Sequence, residues 1–247
     1  MPVNIIIGSN GLIGSEVAVQ FKKRTEDKNL FLDKEHHSFA KQNIQINLNE
    51  VSEIDAFIKH ISKISIFKDK VNIVYLAAQD AKLGEQWDDF LDFDIKRWRD
   101  FSQINQEALL YFSSKIIKAY KKENKMNGLH FILFPSLYNY LGPDQKCYTG
   151  WPKVAKPFEY IGTKSLTRDL CNYINSTYIS INVRCNCVVP QLVTKNNDDV
   201  DQKLLAKTLS GRGTTASEIA KVTEFLIDSP ENLIGQVIFV DGGWTKI

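Results

Sequence analysis

Apolar positions along the chain follow two periods in alternation. Short runs rich in Val, Ile, Leu and Phe, at 3–7, 29–32, 71–76, 129–134 and 236–240, have the length and β-branched content of buried strands. Residues 43–47 alternate apolar and polar, and 179–183 begin a strand that runs on towards Pro190. Between these runs, apolar residues recur every three or four positions. Val17, Ala18 and Phe21 mark one helix, and Ile54, Phe57, Ile58, Ile61 and Ile64 a second. Phe101, Ile104, Ala108, Phe112 and Ile116 mark a long helix over 100–122. Further helices cover 158–177 and 217–228, the last opening with a capping residue. Strand and helix in turn predict an α/β chain with one doubly wound, mostly parallel seven-stranded sheet, helices on both faces and right-handed crossovers. No internal repeat or composition break divides the chain, so residues 1–247 read as a single domain. Residues 138–157 and 191–213 follow neither period. In such a sheet the loops beyond the carboxyl ends of the strands hold the ligand.

Composition narrows the partners. A net charge of +2 over 247 residues gives no case for nucleic acid or an anionic membrane surface. No apolar run approaches the roughly 20 residues that span a bilayer. The first residues enter a strand with no basic-then-apolar leader, so the expected location is cytoplasmic. Cysteines stand at 147, 171, 185 and 187, and Cys185 and Cys187 point to one side of a strand. No second Cys or His pair has metal-ligand spacing, so buried reduced thiols and no metal are expected.

The first strand runs directly into Gly8-Ser-Asn-Gly11-Leu-Ile-Gly14 and then into a helix. Strand, glycine turn and helix N-terminus in that order suit a pyrophosphate, which needs close backbone approach and free N–H groups. Asp33 closes the second strand nineteen residues beyond Gly14, where an acidic side chain meets the adenosine ribose of a dinucleotide. A carboxylate there accepts from a ribose diol and repels a 2′-phosphate, which favours NAD over NADP. The nearby cations Arg24 and Lys34 weaken that preference. His36-His37 falls in the loop near the adenine end.

Tyr160 and Lys164 are four residues apart in a helical stretch, hence on one face. A free phenol has a pKa of about 10, and a neighbouring ammonium stabilises the phenolate and lowers it. Alone, this spacing also describes a solvated helix face.

In this order the residues resemble the short-chain dehydrogenase/reductase family over nearly the whole chain. The matches are Gly8/Gly11/Gly14, Leu76-Ala77-Ala78, Asn105, Ser136, Tyr160 with Lys164, Val189-Pro190 with Thr194, and Val240-Asp-Gly-Gly-Trp244. The resemblance implies a Rossmann domain that binds NAD, or less readily NADP, and assembles as a homodimer or homotetramer. It implies Tyr160 as general acid/base, Lys164 as the residue that lowers its pKa and bonds the nicotinamide ribose, Ser136 as the holder of the substrate oxygen, and Asn105 as the holder of a relay water. The implied cofactor site is Gly8, Asn10, Gly11, Leu12, Ile13, Gly14, Asp33, Asn47, Leu48, Ala77, Ala78, Tyr160, Lys164, Pro190, Val193 and Thr194.

Two departures shape the substrate reading. The glycine spacing and Val74–Gln79 look like the longer branch of the family, which holds nucleotide-sugar epimerases and dehydratases, whereas the length and the ending look like the short branch. The interval from Ser136 to Tyr160 is longer than the family's usual one, so residues 138–157 form a wall of the substrate pocket or a surface elaboration. Its aromatics Tyr138, Tyr140, Tyr148 and Trp151 suit a sugar ring, and Gln79 and Ser136 join Tyr138, Tyr148 and Trp151 as substrate-binding candidates. The wording around Pro135 and Pro157–Lys164 resembles members associated with bacterial surface-sugar and flagellin-glycan pathways. The expected activity is hydride transfer between NAD and a secondary alcohol or ketone of a carbohydrate. The alternatives are an NAD-using nucleotide-sugar epimerase or dehydratase and a catalytically idle NAD-binding protein.

Overall fold

The computed structural model describes residues 1–35, 43–80, 90–124, 126–148, 155–194 and 202–246. Among them, seven strands form one parallel sheet in the order β3-β2-β1-β4-β5-β6-β7. They are β1 (Val3–Ile7), β2 (Lys28–Asp33), β3 (Asn43–Gln45), β4 (Val71–Tyr75), β5 (Leu129–Leu133), β6 (Val183–Pro190) and β7 (Val237–Val240). The strand order reverses between β1 and β4, which opens a crevice at their carboxyl ends. Helices α1 (Leu12–Lys22), α2 (Val51–Lys63), α3 (Ile95–Ser102), α4 (Leu109–Glu123), α5 (Phe158–Tyr178), α6 (Gln202–Leu205) and α7 (Ala216–Asp228) follow in chain order.

Side chains alternate across the pleat, so each strand feeds two cores. Ile5, Ile7, Leu32, Ile73, Phe131 and Cys185 pack with Ile54 and Phe57 of α2, Phe112 and Ile116 of α4, and Leu170 and Ile174 of α5. Ile6, Phe31, Val74, Ile132 and Val188 pack on the other face with Val17 and Phe21 of α1 and Ile219 and Leu226 of α7.

The boundaries differ from the sequence reading where a local feature overrides the period. Residues 179–181 form a 3₁₀ turn, and Asn182 at φ 58° turns the chain into β6; asparagine tolerates the left-handed region that most residues avoid. The helix expected over 100–122 starts earlier and is interrupted by a π-helical segment, Gln103–Ala108, between α3 and α4. Thr215, not Ser217, caps α7, through a reciprocal box with Glu218.

One feature of the sheet has no counterpart in the apolar pattern. Asn29, Asn4, Asn72, His130 and Arg184 stand in register across five strands, on the α1/α7 side, and all are buried. Asn4 Nδ2 donates to Asn29 Oδ1 at 2.9 Å, and Asn72 Nδ2 donates to Asn4 Oδ1 at 2.8 Å. The row ends on backbone carbonyls at or just beyond the carboxyl ends of α1 and α7. Asn29 donates to Phe21 O at 2.9 Å beside the end of α1. Arg184 donates to Pro230 O at 2.6 Å and Ser229 O at 3.2 Å, and Lys70 donates to Ile227 O at 2.8 Å, all at the end of α7. The polar row thus holds both helices at the amino edge of the sheet, and their amino ends are left to face the ligand edge.

His130 Nε2 accepts from Asn186 Nδ2 at 2.9 Å, so its ring is neutral. Burial, reinforced by the Arg184 and Lys70 charges, holds its pKa well below the ordinary 6.5. The unfolded chain then binds the extra proton below that value, and stability falls as pH drops. In urea unfolding, the His130→Gln variant is expected to lose less stability than the parent between about pH 7 and pH 5; equal losses would contradict the buried neutral ring.

Candidate active site

The crevice begins at Gly8. Its backbone lies at φ 80°, and a Cβ there would stand 2.6 Å from the Ala77 nitrogen. A side chain at Gly14 would run into the Gly8 carbonyl oxygen, so α1 packs its first turn directly on the strand end. Gly11 caps α1 with extended backbone, and among the described residues no side-chain hydrogen bond caps the first turn at Leu12 and Ile13. Asp33 stands beside this turn: its carboxylate accepts from the Asn10 N–H at 2.8 Å and the Glu35 N–H at 3.3 Å. Asn10 Nδ2 donates to Glu35 O at 2.8 Å, and Asn10 Oδ1 is buried without a hydrogen-bond partner among the described residues.

Arg24 is not a neighbour of Asp33. It lies before β2, paired with Asp27, Glu224 and Asp228, at the other end of the strand. The sequence distance was short only because the strand had not been drawn out. The other expected cofactor residues line the same edge. Ile46 N–H donates to Asp33 O at 2.8 Å, which brings Asn47 and the buried Leu48 alongside. Ala77 is half-buried against Gly8, and Ala78 is exposed. Pro190 ends β6, Val193 pairs with Thr214, and Thr194 N–H donates to Thr214 O at 3.3 Å.

Tyr160 and Lys164 occupy successive turns near the start of α5, facing the end of β5. Ser136 caps the short turn Leu137–Asn139, and its hydroxyl is hydrogen-bonded to the Tyr160 hydroxyl. The Tyr138 and Tyr148 hydroxyls bond to each other, and Tyr138 also bonds to the Gln191 side chain. The structure therefore brings Ser136, Tyr138, Tyr148, Tyr160 and Gln191 together. Tyr140 does not join them: its ring stands edge-on to Phe239 at 4.9 Å, with Arg168 over its face at 5.2 Å. Trp151, His36 and His37 lie outside the described residues.

Burial sets the electrostatics. It raises the Tyr160 phenol above its ordinary value, and the Asp80 carboxylate raises it further while the Ser136 bond opposes. Burial also pushes Lys164 down to about 8, against the Asp80 and Cys187 groups. In the folded chain without cofactor, loss of solvent is the largest influence on Tyr160, and it holds the phenol neutral. A neutral phenol bonded to a serine hydroxyl is arranged to pass a proton, and a lysine near 8 changes charge close to neutral pH.

The turn that carries Tyr160 is braced from behind. Asn105, in the π-helical segment, accepts from the Gln79 N–H at 2.8 Å and donates to Gln79 O and Thr163 Oγ1, both at 3.0 Å. Both donors of its carboxamide are thus committed to protein groups. Thr163 Oγ1 in turn donates to Glu159 O at 2.6 Å, and Glu159 pairs with Arg97 of α3 at 2.7 Å. A Cβ on Gly162 would stand 2.9 Å from the Trp98 ring, so this glycine lets α3 press against α5 between Tyr160 and Lys164.

Sequence reasoning missed Asp80, Lys156 and Gln191. Lys156 Nζ lies 3.3 Å from Asp80 Oδ1 and 5.2 Å from the centroid of the Tyr160 ring. The available signals were slight: Lys156 precedes Tyr160 by four positions, and Asp80 follows Gln79. Among the described residues no group of three or more His, Cys, Asp or Glu is arranged to hold a metal ion, and no helix is long and apolar enough to cross a membrane.

The family model described as Enoyl-(Acyl carrier protein) reductase matches residues 14–245. No curated protein matches the chain. A short chain dehydrogenase from Leptospira borgpetersenii, solved with bound NAD+, superposes with a TM-score of 0.82 at 22% identity, over 99% of this chain and 92% of the other. The ligand-free aldohexose dehydrogenase of Thermoplasma acidophilum gives 0.80 at 18% identity, over 100% and 94%. A 4-hydroxyisoleucine dehydrogenase complexed with NADH gives 0.81 at 15% identity, over the whole of both chains. With nearly its full length matched by the family model and its sheet, glycine turn and tyrosine–lysine helix in place, the chain belongs to the short-chain dehydrogenase/reductase family of oxidoreductases.

Proposed function

We propose that the chain is an NAD-dependent dehydrogenase/reductase acting on a secondary alcohol or ketone of a sugar or sugar-nucleotide derivative. The observation that carries this reading is the placing of Ser136, just beyond β5, against Tyr160, with Lys164 one turn further along α5.

The residues fit the cofactor. Gly8 and Gly14 leave a cradle that a Cβ would fill, and among the described residues the first turn of α1 has no side-chain cap and the buried Oδ1 of Asn10 has no hydrogen-bond partner. Asp33 would accept from the adenosine ribose, which favours NAD; two of the similar solved structures carry NAD+ or NADH. When bound, NAD supplies the site that takes up or gives a hydride. In oxidation Tyr160, once ionised, takes the hydroxyl proton of the substrate and becomes the neutral phenol; in reduction the neutral phenol gives that proton to the carbonyl oxygen and becomes the phenolate. Ser136 holds the same oxygen, and its bond to the phenol fixes the line of transfer. Lys164 supplies positive charge as the phenol ionises. The buried setting excludes water from these groups.

The carbohydrate reading is supported by the phenols of Tyr138 and Tyr148 and the amide of Gln191, whose polar groups face the reacting hydroxyls. One similar structure is an aldohexose dehydrogenase. The exposed apolar residues Phe90, Leu91 and Phe158 support self-association as a homodimer or homotetramer. The four free thiols suit a reducing cytoplasm.

The test is cofactor reduction by wild type and Tyr160→Phe across sugars, amino sugars and sugar nucleotides, with NAD and NADP in parallel. Turnover with NAD is expected, and Tyr160→Phe should lose it by about a hundredfold or more while still binding NAD; a variant within tenfold of wild type would contradict the mechanism. Lys164→Met should also lose turnover but gain stability. The folded lysine is held near 8 against 10.5, so the folded state pays a penalty below pH 8 that shrinks as pH rises and vanishes above the unfolded value. Chemical unfolding should show a gain on the order of 3 kcal/mol near pH 7, fading as pH approaches about 10; a gain independent of pH would contradict the buried-charge account.

A further inference from the structure

A second cation stands at Tyr160, outside the tyrosine–lysine pair. The Lys156 ammonium lies 5.2 Å from the centroid of the Tyr160 ring and 3.3 Å from Asp80 Oδ1. Only 12% of the Lys156 side chain is exposed, against 55% of Asp80. The ammonium is therefore on the protein side of the pair, against the ring, and the carboxylate is on the solvent side. The Lys156 backbone is fixed too: Gln145 Nε2 donates to its carbonyl at 2.8 Å, and its N–H donates to Gln145 Oε1 at 3.3 Å. The pair joins the loop after β4 to the segment leading into α5 across the catalytic ring.

The groups that face Tyr160 come from each element around it. Ser136, Tyr138 and Tyr148 come from the segment after β5, Asp80 from the loop after β4, Lys164 from α5 itself, and Cys187 of β6 stands behind Lys164. A cation over an aromatic face attracts the neutral ring weakly and the ionised ring strongly, because a full negative charge replaces a quadrupole. Lys156 therefore favours the phenolate. Asp80 opposes it, both through its own charge and by engaging the ammonium.

We propose that Lys156 and Asp80 together set the acid strength of Tyr160, with Lys156 as a positioning residue that favours the phenolate and Asp80 as its counterweight. The proposal rests on Tyr160 being the acid/base of the reaction.

The measurement is kcat/KM for alcohol oxidation against pH, using saturating NAD and the sugar of the above panel that reacts fastest. Oxidation draws on the phenolate, so the rising limb reports the apparent pKa of Tyr160. Lys156→Met is expected to move that limb to higher pH by about 1 unit, and Asp80→Asn to move it to lower pH. Lys156→Arg, which keeps the charge, is expected to leave it in place. Loss of packing alone would lower rates without driving the two limbs in opposite directions. Limbs that coincide with wild type in both Lys156→Met and Asp80→Asn overturn the proposal and leave Tyr160 as the acid/base. Turnover that survives Tyr160→Phe, or no turnover with any compound of the panel, overturns the reading of Tyr160 and the proposal with it.

Discussion

The carboxamide of Asn105 ties together the three parts of the molecule that the site needs. Its three hydrogen bonds join the loop beyond β4, at Gln79, to Thr163 in the turn of α5 that carries Tyr160, from a π-helical segment that lies between α3 and α4. A regular helix would carry this side chain elsewhere; the one wide turn aims it at both neighbours. Thr163 passes the restraint to the Glu159 carbonyl, and the Arg97–Glu159 pair fixes the same turn against α3. The turn that carries Tyr160 is therefore held through Glu159 and Thr163, and not through the Tyr160 hydroxyl or the Lys164 ammonium.

That bracing lets the site bury groups that would otherwise face water. A phenol raised by burial and a lysine brought down to about 8 are both unfavourable for the folded chain in isolation. They persist because the apolar cores on both faces of the sheet and the polar row at its amino edge hold the frame. The division of labour is spatial. Polar groups at the amino edge of the strands bind the carboxyl ends of α1 and α7, and the carboxyl edge carries the glycine turn, Asp33, Asp80, Lys156, Lys164 and the hydroxyls of Ser136, Tyr138, Tyr148 and Tyr160.

The sheet, its helices and the glycine turn were legible in the sequence because each is written in local periodicity or in spacing of a few residues. Gly8 and Gly14 proved to be sites where a side chain would meet backbone, which is what their spacing implied. The features that were not legible depend on contacts between distant segments. The polar row draws one residue from each of five strands, and Asn4 or His130 alone reads as a blemish in an apolar run. Arg24 and Asp33 are close in sequence but are held apart by the length of β2. The π-helical segment leaves the apolar period almost intact. Lys156 and Asp80 meet only because two loops converge over Tyr160. The net ionisation of Tyr160 and Lys164 was not legible either: spacing places a phenol and an ammonium on one helix face, and burial, which spacing does not show, holds each toward its neutral form.

The central claim is that the chain moves a hydride between a carbinol carbon and NAD while Tyr160 moves the proton. The most direct measurement follows deuterium. A sugar alcohol that the enzyme oxidises is labelled at the reacting carbon, and the cofactor and sugar products are weighed by mass spectrometry. The expected result is deuterium in the reduced cofactor and none retained at the oxidised carbon. Deuterium that stays in the sugar, or passes to water with the cofactor unlabelled, would contradict the account.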